Sequence, residues 1–584
     1  MRLGTKTWPP ATTCLLALLV LTGCQQPQRP AVSHDEAKKI SAEFESASFE
    51  APPRTVADVE ALLDENAQTN WTRLNADRGL ADSAPPPTAG PRDQALFYRN
   101  RAKAALYVGR YTQARRDLNL TPKTLRSFGI HETDNGSLLN EAHVHADLAH
   151  AEQFSGRLSK WHYHTMQRLK VSERQGHDSN PSIYSAAAIT AAAIGRLDEA
   201  AAHLKTVKWK LPNTYESNSP FATITDAIAV AAEGRLLDLQ GRHAEAEGYL
   251  RRNVDMIRRD RSSGKDPNYK PLRYSLAEAW DIVEIECLNW LSESLLGQGR
   301  LSEAELAARG SIKLSLARFG RYSPYTARAL NSLNRTVIAQ GRFADSRRLN
   351  RAIFEILEKV GVPPGAWERA RVQADMAANR ILNGDWPRAH QILGDLRDEM
   401  EKADAATFQT HLRGDPNYGL TLIKSGAAIE AANTLVDEHA RKLELLGAKH
   451  YLVAELGGLL AMARAALGET EAALAGFRAA VPILLQRSRA VAGVGALQRF
   501  RRARILEAYL DLLAERGLAA EAFPIADALK GSTVQSAMAA AAARAAARDP
   551  ELADLVRREQ DAQKQVAALP RLRRTGTPET GAAQ

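Results

Sequence analysis

Apolar residues along this chain fall at helical spacing and come in pairs of runs separated by a short polar turn. Leu288, Leu291 and Leu295 lead into Gly299, and Leu330, Leu333 and Val337 lead into Gly341. Five residues after each glycine a small residue opens the next run, as in Gly299 to Ala304. The same frame runs from Gly109 to Ala114, Gly195 to Ala200, Gly241 to Ala246, Gly341 to Ser346 and Gly384 to Ala389. It continues from Gly426 to Ala431, Gly468 to Ala473 and Gly517 to Ala522; at Gly156 it meets Trp161, a degenerate copy. No segment alternates with a convincing period of two, so the pattern predicts helical hairpins throughout the repeats.

Two regularities separate this pattern from a merely alanine-rich sequence. Glycines 299, 341, 384, 426 and 468 are spaced by 42, 43, 42 and 42 residues, a period that signals stacked supersecondary units. Seven residues before each glycine the chain carries Ala102, Ala149, Ala188, Gly234, Ser292, Ala377, Gly419 and Ala461, with Asn334 and Leu510 departing from small side chains. A small residue in each helix lets the two backbones cross closely, and the glycine between them ends the first helix in the left-handed conformation. Spacings of 47, 39, 46 and 58 residues in the first half are less regular, and the stretch from Arg259 to Pro271 reads as the loop behind the largest.

With Gly299 as the turn, Leu288, Leu291, Ser292, Leu295 and Ala304 match the helix positions of the tetratricopeptide repeat in its longer variant, and Leu330, Leu333, Val337 and Ser346 match one repeat later. The chain resembles that family over about residues 95–530. The resemblance implies an all-α superhelix, an α-solenoid of about ten helical hairpins, which binds a protein or peptide ligand on its concave surface. On the first helices of the two best-formed repeats the inward positions carry Glu286 and Asn289, then Arg328, Asn331 and Arg335. Asparagine donates to and accepts from a peptide backbone at once, and arginine grips a carboxylate, so these five are the candidate peptide groove. Asn289 and Asn331 are expected to stack as a ladder.

Residues 1–24 combine Arg2 and Lys6, an apolar run from Leu15 to Leu21 and the tetrapeptide Leu21-Thr22-Gly23-Cys24. The run is too short to span a bilayer and has the layout of a secretory signal. Its last four residues resemble a bacterial lipobox, which implies that Cys24 carries lipid and becomes the mature N-terminus. The expectation is an exported protein, lipid-anchored to the cell membrane, with Gln25 after the cysteine favouring the periplasmic face of the outer membrane. Residues 25–94 then read as a polar tether with a short helix, N-capped by Thr55, and a proline-rich linker ending at Pro91.

Composition changes this picture little. A net charge of +9 and the clusters Arg251, Arg252, Arg258, Arg259, Arg261 and Arg499, Arg501, Arg502, Arg504 suggest anionic partners. They lack interleaved aromatics and a recognition fold, so no nucleic acid is expected, and the arginines read as solvated faces or contacts to anionic lipid. His143, Asp147 and His150 share a helical face, yet the acidic and cysteine companions of a zinc motif are missing; no metal or other cofactor is expected. Cys287 reads as a buried, inert thiol. Lys530-Gly531-Ser532-Thr533 reverses the order a phosphate loop needs, and no catalytic constellation is recognisable, so the chain is not expected to be an enzyme.

From Ala526 through Arg548 to Leu569 the sequence is similar to the region that joins repeats to a caspase-like peptidase in bacterial CHAT-domain proteins. Leu552, Leu555, Ala562, Val566 and Leu569 fall at heptad spacing within these connecting helices, residues 531–569. Residues 570–584 read as a disordered tail, far too short for a peptidase domain. The leading expectation is an envelope-anchored protein-binding scaffold; the alternative is the regulatory part of a caspase-like protease whose catalytic domain is lost, truncated or encoded as a separate partner.

Overall fold

The computed structural model describes residues 55–66, 71–87, 90–127, 141–174, 181–210, 220–262, 276–490 and 495–529. Cys24, the signal, most of the tether, Lys530–Thr533 and the CHAT-like stretch beyond residue 529 lie outside the described residues.

The chain is an all-α superhelix. Two helices precede the repeats, α1 (Ala57–Glu65) and α2 (Trp71–Asp82). The first four hairpins pair α3 (Pro91–Tyr107) with α4 (Tyr111–Ser127), α5 (Glu141–Phe154) with α6 (Leu158–Arg174), α7 (Pro181–Ala193) with α8 (Leu197–Lys210), and α9 (Pro220–Leu239) with α10 (His243–Ser262). The next three pair α11 (Leu276–Gly297) with α12 (Leu301–Phe319), α13 (Pro324–Ala339) with α14 (Phe343–Val360), and α15 (Trp367–Leu382) with α16 (Trp386–His411). The last three pair α17 (Pro416–Lys424) with α18 (Ala428–Leu446), α19 (Tyr451–Ala466) with α20 (Thr470–Ala490), and α21 (Ala496–Glu515) with a final helix over 519–529.

All ten turn glycines have positive φ, from 69° to 83°, including Gly156 of the degenerate copy. The crossings obey the small-residue rule: Ala102, Ala188, Ala377 and Ala461 are buried, as are Ala114, Ala200, Ala389 and Ala473 across from them. A Cβ on Gly419 would meet the Leu435 side chain at 2.8 Å, so any larger residue at that crossing would have to push Leu435 aside. The departure at Asn334 has a physical reason. Its amide donates to Asn350 Oδ1 at 2.9 Å and Asp375 Oδ2 at 2.8 Å, and its oxygen accepts from Ser346 Oγ at 2.7 Å, so a polar crossing replaces an alanine one.

Neighbouring hairpins share apolar seams, and the superhelix also closes on itself. The Gly156 turn of the second hairpin sits against the start of α15 in the seventh, where a Cβ would lie 1.9 Å from the Trp367 nitrogen. Nearby, Ser159 N donates to Asp404 Oδ2 at 3.1 Å, and His411 Nε2 donates to the Ala193 carbonyl. Contacts of this range are invisible to a repeat pattern, which reports only nearest neighbours.

The short N-terminal helix is not a free part of the tether. Val56, Val59 and Leu63 are buried in one cluster with Ile312, Leu316, Leu349 and Ile353 of α12 and α14. Arg309, Arg321 and Arg348 pair with Asp58, Asp64 and Glu60 around it. Val56, not Thr55, occupies its N-cap position without a side-chain cap; Thr55 Oγ1 accepts only a long bond, 3.4 Å, from Ala57 N.

The second arginine cluster is less solvated than the sequence suggests, whereas Arg252, Arg258 and Arg259 of the first stay exposed. Arg501 is buried and makes two bonds of 2.9 Å to Glu455, while Arg258 reaches Glu284 at 2.9 Å. Asp147, between the two histidines, accepts from Arg99 at 2.6 Å, and no group of three metal-ligating side chains occurs among the described residues. Cys287 is fully buried, and burial pushes its thiol well above the usual range.

Candidate functional site

Two concavities stand out, one inside the superhelix and one outside. The inner one is a cavity of about 100 Å³. The first helices of six consecutive hairpins, α5, α7, α9, α11, α13 and α15, each contribute to its wall.

Of the five sequence-predicted residues, Glu286 and Arg328 line this cavity. Arg328 bridges two carboxylates: one nitrogen bonds Glu286, the other Glu368 at 2.5 Å, and its guanidinium lies 5.6 Å from the Phe154 ring centre. Burial alone would lower its pKa, but Glu286 and Glu368 hold it above the ordinary value. Arg335 belongs to a neighbouring node where Arg235, Arg335 and Arg371 each reach Glu293 at 2.8 Å. Burial would raise the Glu293 carboxyl; the three guanidiniums hold it far below the usual range. Asn331 donates to Asp375 Oδ2 at 3.0 Å, and its oxygen has no hydrogen-bond partner. Asn289 is almost fully buried, and neither its amide nitrogen nor its oxygen has a partner. Among the five candidates only Glu286 and Arg328 bond each other; Arg335 and Asn331 are taken up by Glu293 and Asp375.

Glu293, Glu368, Arg371 and the tryptophans of the cavity wall were not singled out from the sequence. The signal was present: Arg328, Glu368 and Arg371 occupy inward positions of successive first helices, but the sequence alone does not say which repeats face each other across the axis.

The outer concavity is an open groove of about 760 Å³ between α16 and α18. It exists because the eighth hairpin is built differently. Asp404 interrupts α16 with extended backbone, φ −159° and ψ 88°, and its carboxylate accepts from Thr407 Oγ1 at 2.8 Å. Asp415 then caps a first helix of only 9 residues, accepting from Asn417 N at 2.8 Å. Pro416 follows at the position where a proline costs a helix nothing. The shortened α17 leaves the side of α18 uncovered. Phe408 and Tyr418 form the floor, and Ile429 forms one wall with 68% of its surface exposed.

From that wall an apolar stripe runs on along α18 through Val436 and Leu443, at seven-residue steps, with the exposed Ala440 between them. The residue after each, Glu430, Asp437 and Glu444, is acidic and exposed. Arg397 and Arg413 approach the first two only at 3.3 and 3.5 Å, distances and exposures at which ion pairs contribute little. Of the nine large hydrophobic side chains exposed among the described residues, four (Ile429, Val436, Leu443 and Leu445) lie on this one helix.

No family model matches the chain, and no curated protein matches it. Among solved structures, it is similar to a putative kinesin light chain of Podosopora anserina with nearly identical TPR-like repeats, at 16% identity over 35% of this chain and 97% of that one, with a TM-score of 0.26. It is also similar to a Rap protein complexed with Competence and Sporulation Factor, at 11% identity over 68% of this chain and 99% of that one, TM-score 0.41. The apo form of RapI matches at 11% identity over the same shares, TM-score 0.33. The hairpins themselves define an all-α helical-repeat superhelix.

Proposed function

We propose that this protein is a non-catalytic, protein-binding scaffold and that its docking surface is the open groove beside α18. The observation that carries the reading is the concentration of exposed apolar side chains on that helix, next to the open groove. A groove with an apolar stripe at helical spacing suits an amphipathic partner helix, which lays its own apolar face against Ile429, Val436 and Leu443. The acidic row Glu430, Asp437 and Glu444 favours a partner helix with lysine or arginine along one edge. A peptide on the concave surface would first have to displace the ion pairs of Glu286, Arg328 and Arg335, which makes the outer groove the better surface.

In this reading Cys24 carries the lipid that holds the scaffold at the cell envelope; two or three acyl chains, at about 0.8 kcal/mol per buried methylene, suffice. Cys24→Ser should then move the protein from the membrane to the soluble fraction, and persistent membrane attachment would refute the anchor. The partner is tested with a photo-crosslinking residue at position 436 in cells, against one at the outlying exposed position 388. A discrete adduct from 436 alone, abolished by Ile429→Glu in a protein of unchanged melting midpoint, is the expected result. No adduct at 436 sinks the groove. The regulatory alternative rests on the likeness of 526–569 to CHAT-domain proteins, and an adduct with a caspase-like peptidase would establish it.

A further inference from the structure

The inner cavity separates its charges and leaves one buried carboxylate oxygen without a partner. At one end two carboxylates, Glu286 and Glu368, share a single guanidinium, that of Arg328. Glu368 uses one oxygen for that bond; the other, Oε2, is buried and has no hydrogen-bond partner. Glu368 as a whole is 5% exposed, and an unpaired buried carboxylate oxygen is costly unless something donates to it.

The opposite charge lies one helical turn away. Arg371 follows Glu368 by three residues on α15 and lines the same cavity, as does Arg235 from α9. Arg235, Arg335 and Arg371 share the carboxylate of Glu293, and Arg235 also meets Asp238 at 3.1 Å. Burial lowers the pKa of Arg371, with Arg335 and Arg328 adding to it and Glu293 and Asp375 opposing it, so its charged form gains from any further anion. His411 contributes no charge near neutrality, because burial brings its pKa down to about 4. The rest of the wall is dominated by Trp161, Trp290 and Trp367.

Side chains three residues apart on a helix stand about 5–6 Å apart at Cβ, a separation that suits an ammonium and a carboxylate carried on one carbon. The size agrees. A water needs about 10–15 Å³ of such volume, so a cavity of about 100 Å³ holds a molecule of roughly seven to ten heavy atoms, the size of leucine. We propose that the cavity binds a free α-amino acid with an aliphatic or small aromatic side chain, its ammonium on Glu368, its carboxylate on Arg371 and Arg235, and its side chain among the three tryptophans. The ligand would tie together the first helices of six hairpins and so stabilise the closed superhelix by mass action. This site is separate from the outer groove, and neither depends on the other.

The test uses the whole chain and calorimetric titration with L-leucine, with 4-methylpentanoate, which lacks the ammonium, and with isopentylamine, which lacks the carboxylate. Saturable leucine binding at least about tenfold tighter than either analogue is expected. Glu368→Gln should weaken leucine but not 4-methylpentanoate, and Arg371→Met should weaken leucine but not isopentylamine. Absence of saturable binding by leucine, valine, methionine or phenylalanine up to about 10 mM overturns the proposal. So does leucine binding that equals 4-methylpentanoate binding, or that survives both substitutions in folded protein. Should a substitution prevent folding, the three-ligand comparison on the unsubstituted chain decides. Val436→Glu, which disables the outer groove, should leave leucine affinity unchanged.

Discussion

The sixth and eighth hairpins share a repeat frame and differ in almost everything built on it. In the sixth, a first helix of 16 residues, α13, sends Arg328, Asn331 and Asn334 inward to partners on the neighbouring first helix α15. Its second helix, α14, is covered by α1 through Arg348 and Glu60. In the eighth, α17 has only 9 residues and α18 keeps a row of apolar side chains in solvent. The comparison teaches that shortening one first helix opens a groove without disturbing the crossing: Gly419 still meets Leu435, and Ala431 is fully buried.

The sharpest way to break this contrast is to attack the charged interior. Glu293→Ala would leave Arg235, Arg335 and Arg371 without their shared carboxylate, a loss of about 3–5 kcal/mol that should show as a large fall in the urea midpoint. An unchanged midpoint would mean that these arginines find water as easily as they find Glu293. Next in size, Ala431→Leu tests whether the eighth hairpin keeps an ordinary crossing. Overpacking against Gly419 should cost about 1–3 kcal/mol, and a neutral result would place the open groove's cause in a loose hairpin instead of a short helix.

A smaller effect distinguishes the two regions by pH. Burial raises the Asp375 carboxyl from 3.8 to about 6, against the pull of Arg335 and Arg371. The folded protein thus holds that proton more tightly than the unfolded chain. Its contribution to stability is present at low pH and is lost as pH rises from about 4 through 6. Asp375→Asn should therefore gain on the order of 1 kcal/mol at pH 7 relative to pH 4.5, measured as the difference in urea midpoints. A pH-independent difference would mean that the hydrogen bonds from Asn331 and Asn334 outweigh burial. Smallest of all, Ile429→Glu in the exposed stripe should change stability by less than about 0.5 kcal/mol while abolishing the adduct formed from position 436. A large destabilisation would show that the stripe is covered by the chain itself.

Much of this molecule is written locally. Turn glycines with positive φ, small residues at crossings and the apolar seams follow from interactions within about 42 residues, so a single sequence displays them. Even the degenerate copy at Gly156 keeps its turn, because the glycine and not the following small residue sets the backbone there. The exposed stripe was legible too, as Ile429, Val436 and Leu443 at seven-residue steps. It lies on a second helix, outside the first-helix positions that mark the concave surface.

What the sequence could not show is which distant hairpins meet. The sequence determined the all-α class, the turns between paired helices and the placement of Glu286 and Arg328 on the inner wall. Tertiary structure alone decided that the second hairpin reaches the seventh, that α1 lies on α12 and α14, and that Glu368 and Arg371 share a cavity with Trp161 and Trp290. Hairpin formation depends on short-range spacing that repeats along the chain. Closure of the superhelix depends on small rotations between neighbours that accumulate over several hairpins, and no local pattern encodes their sum.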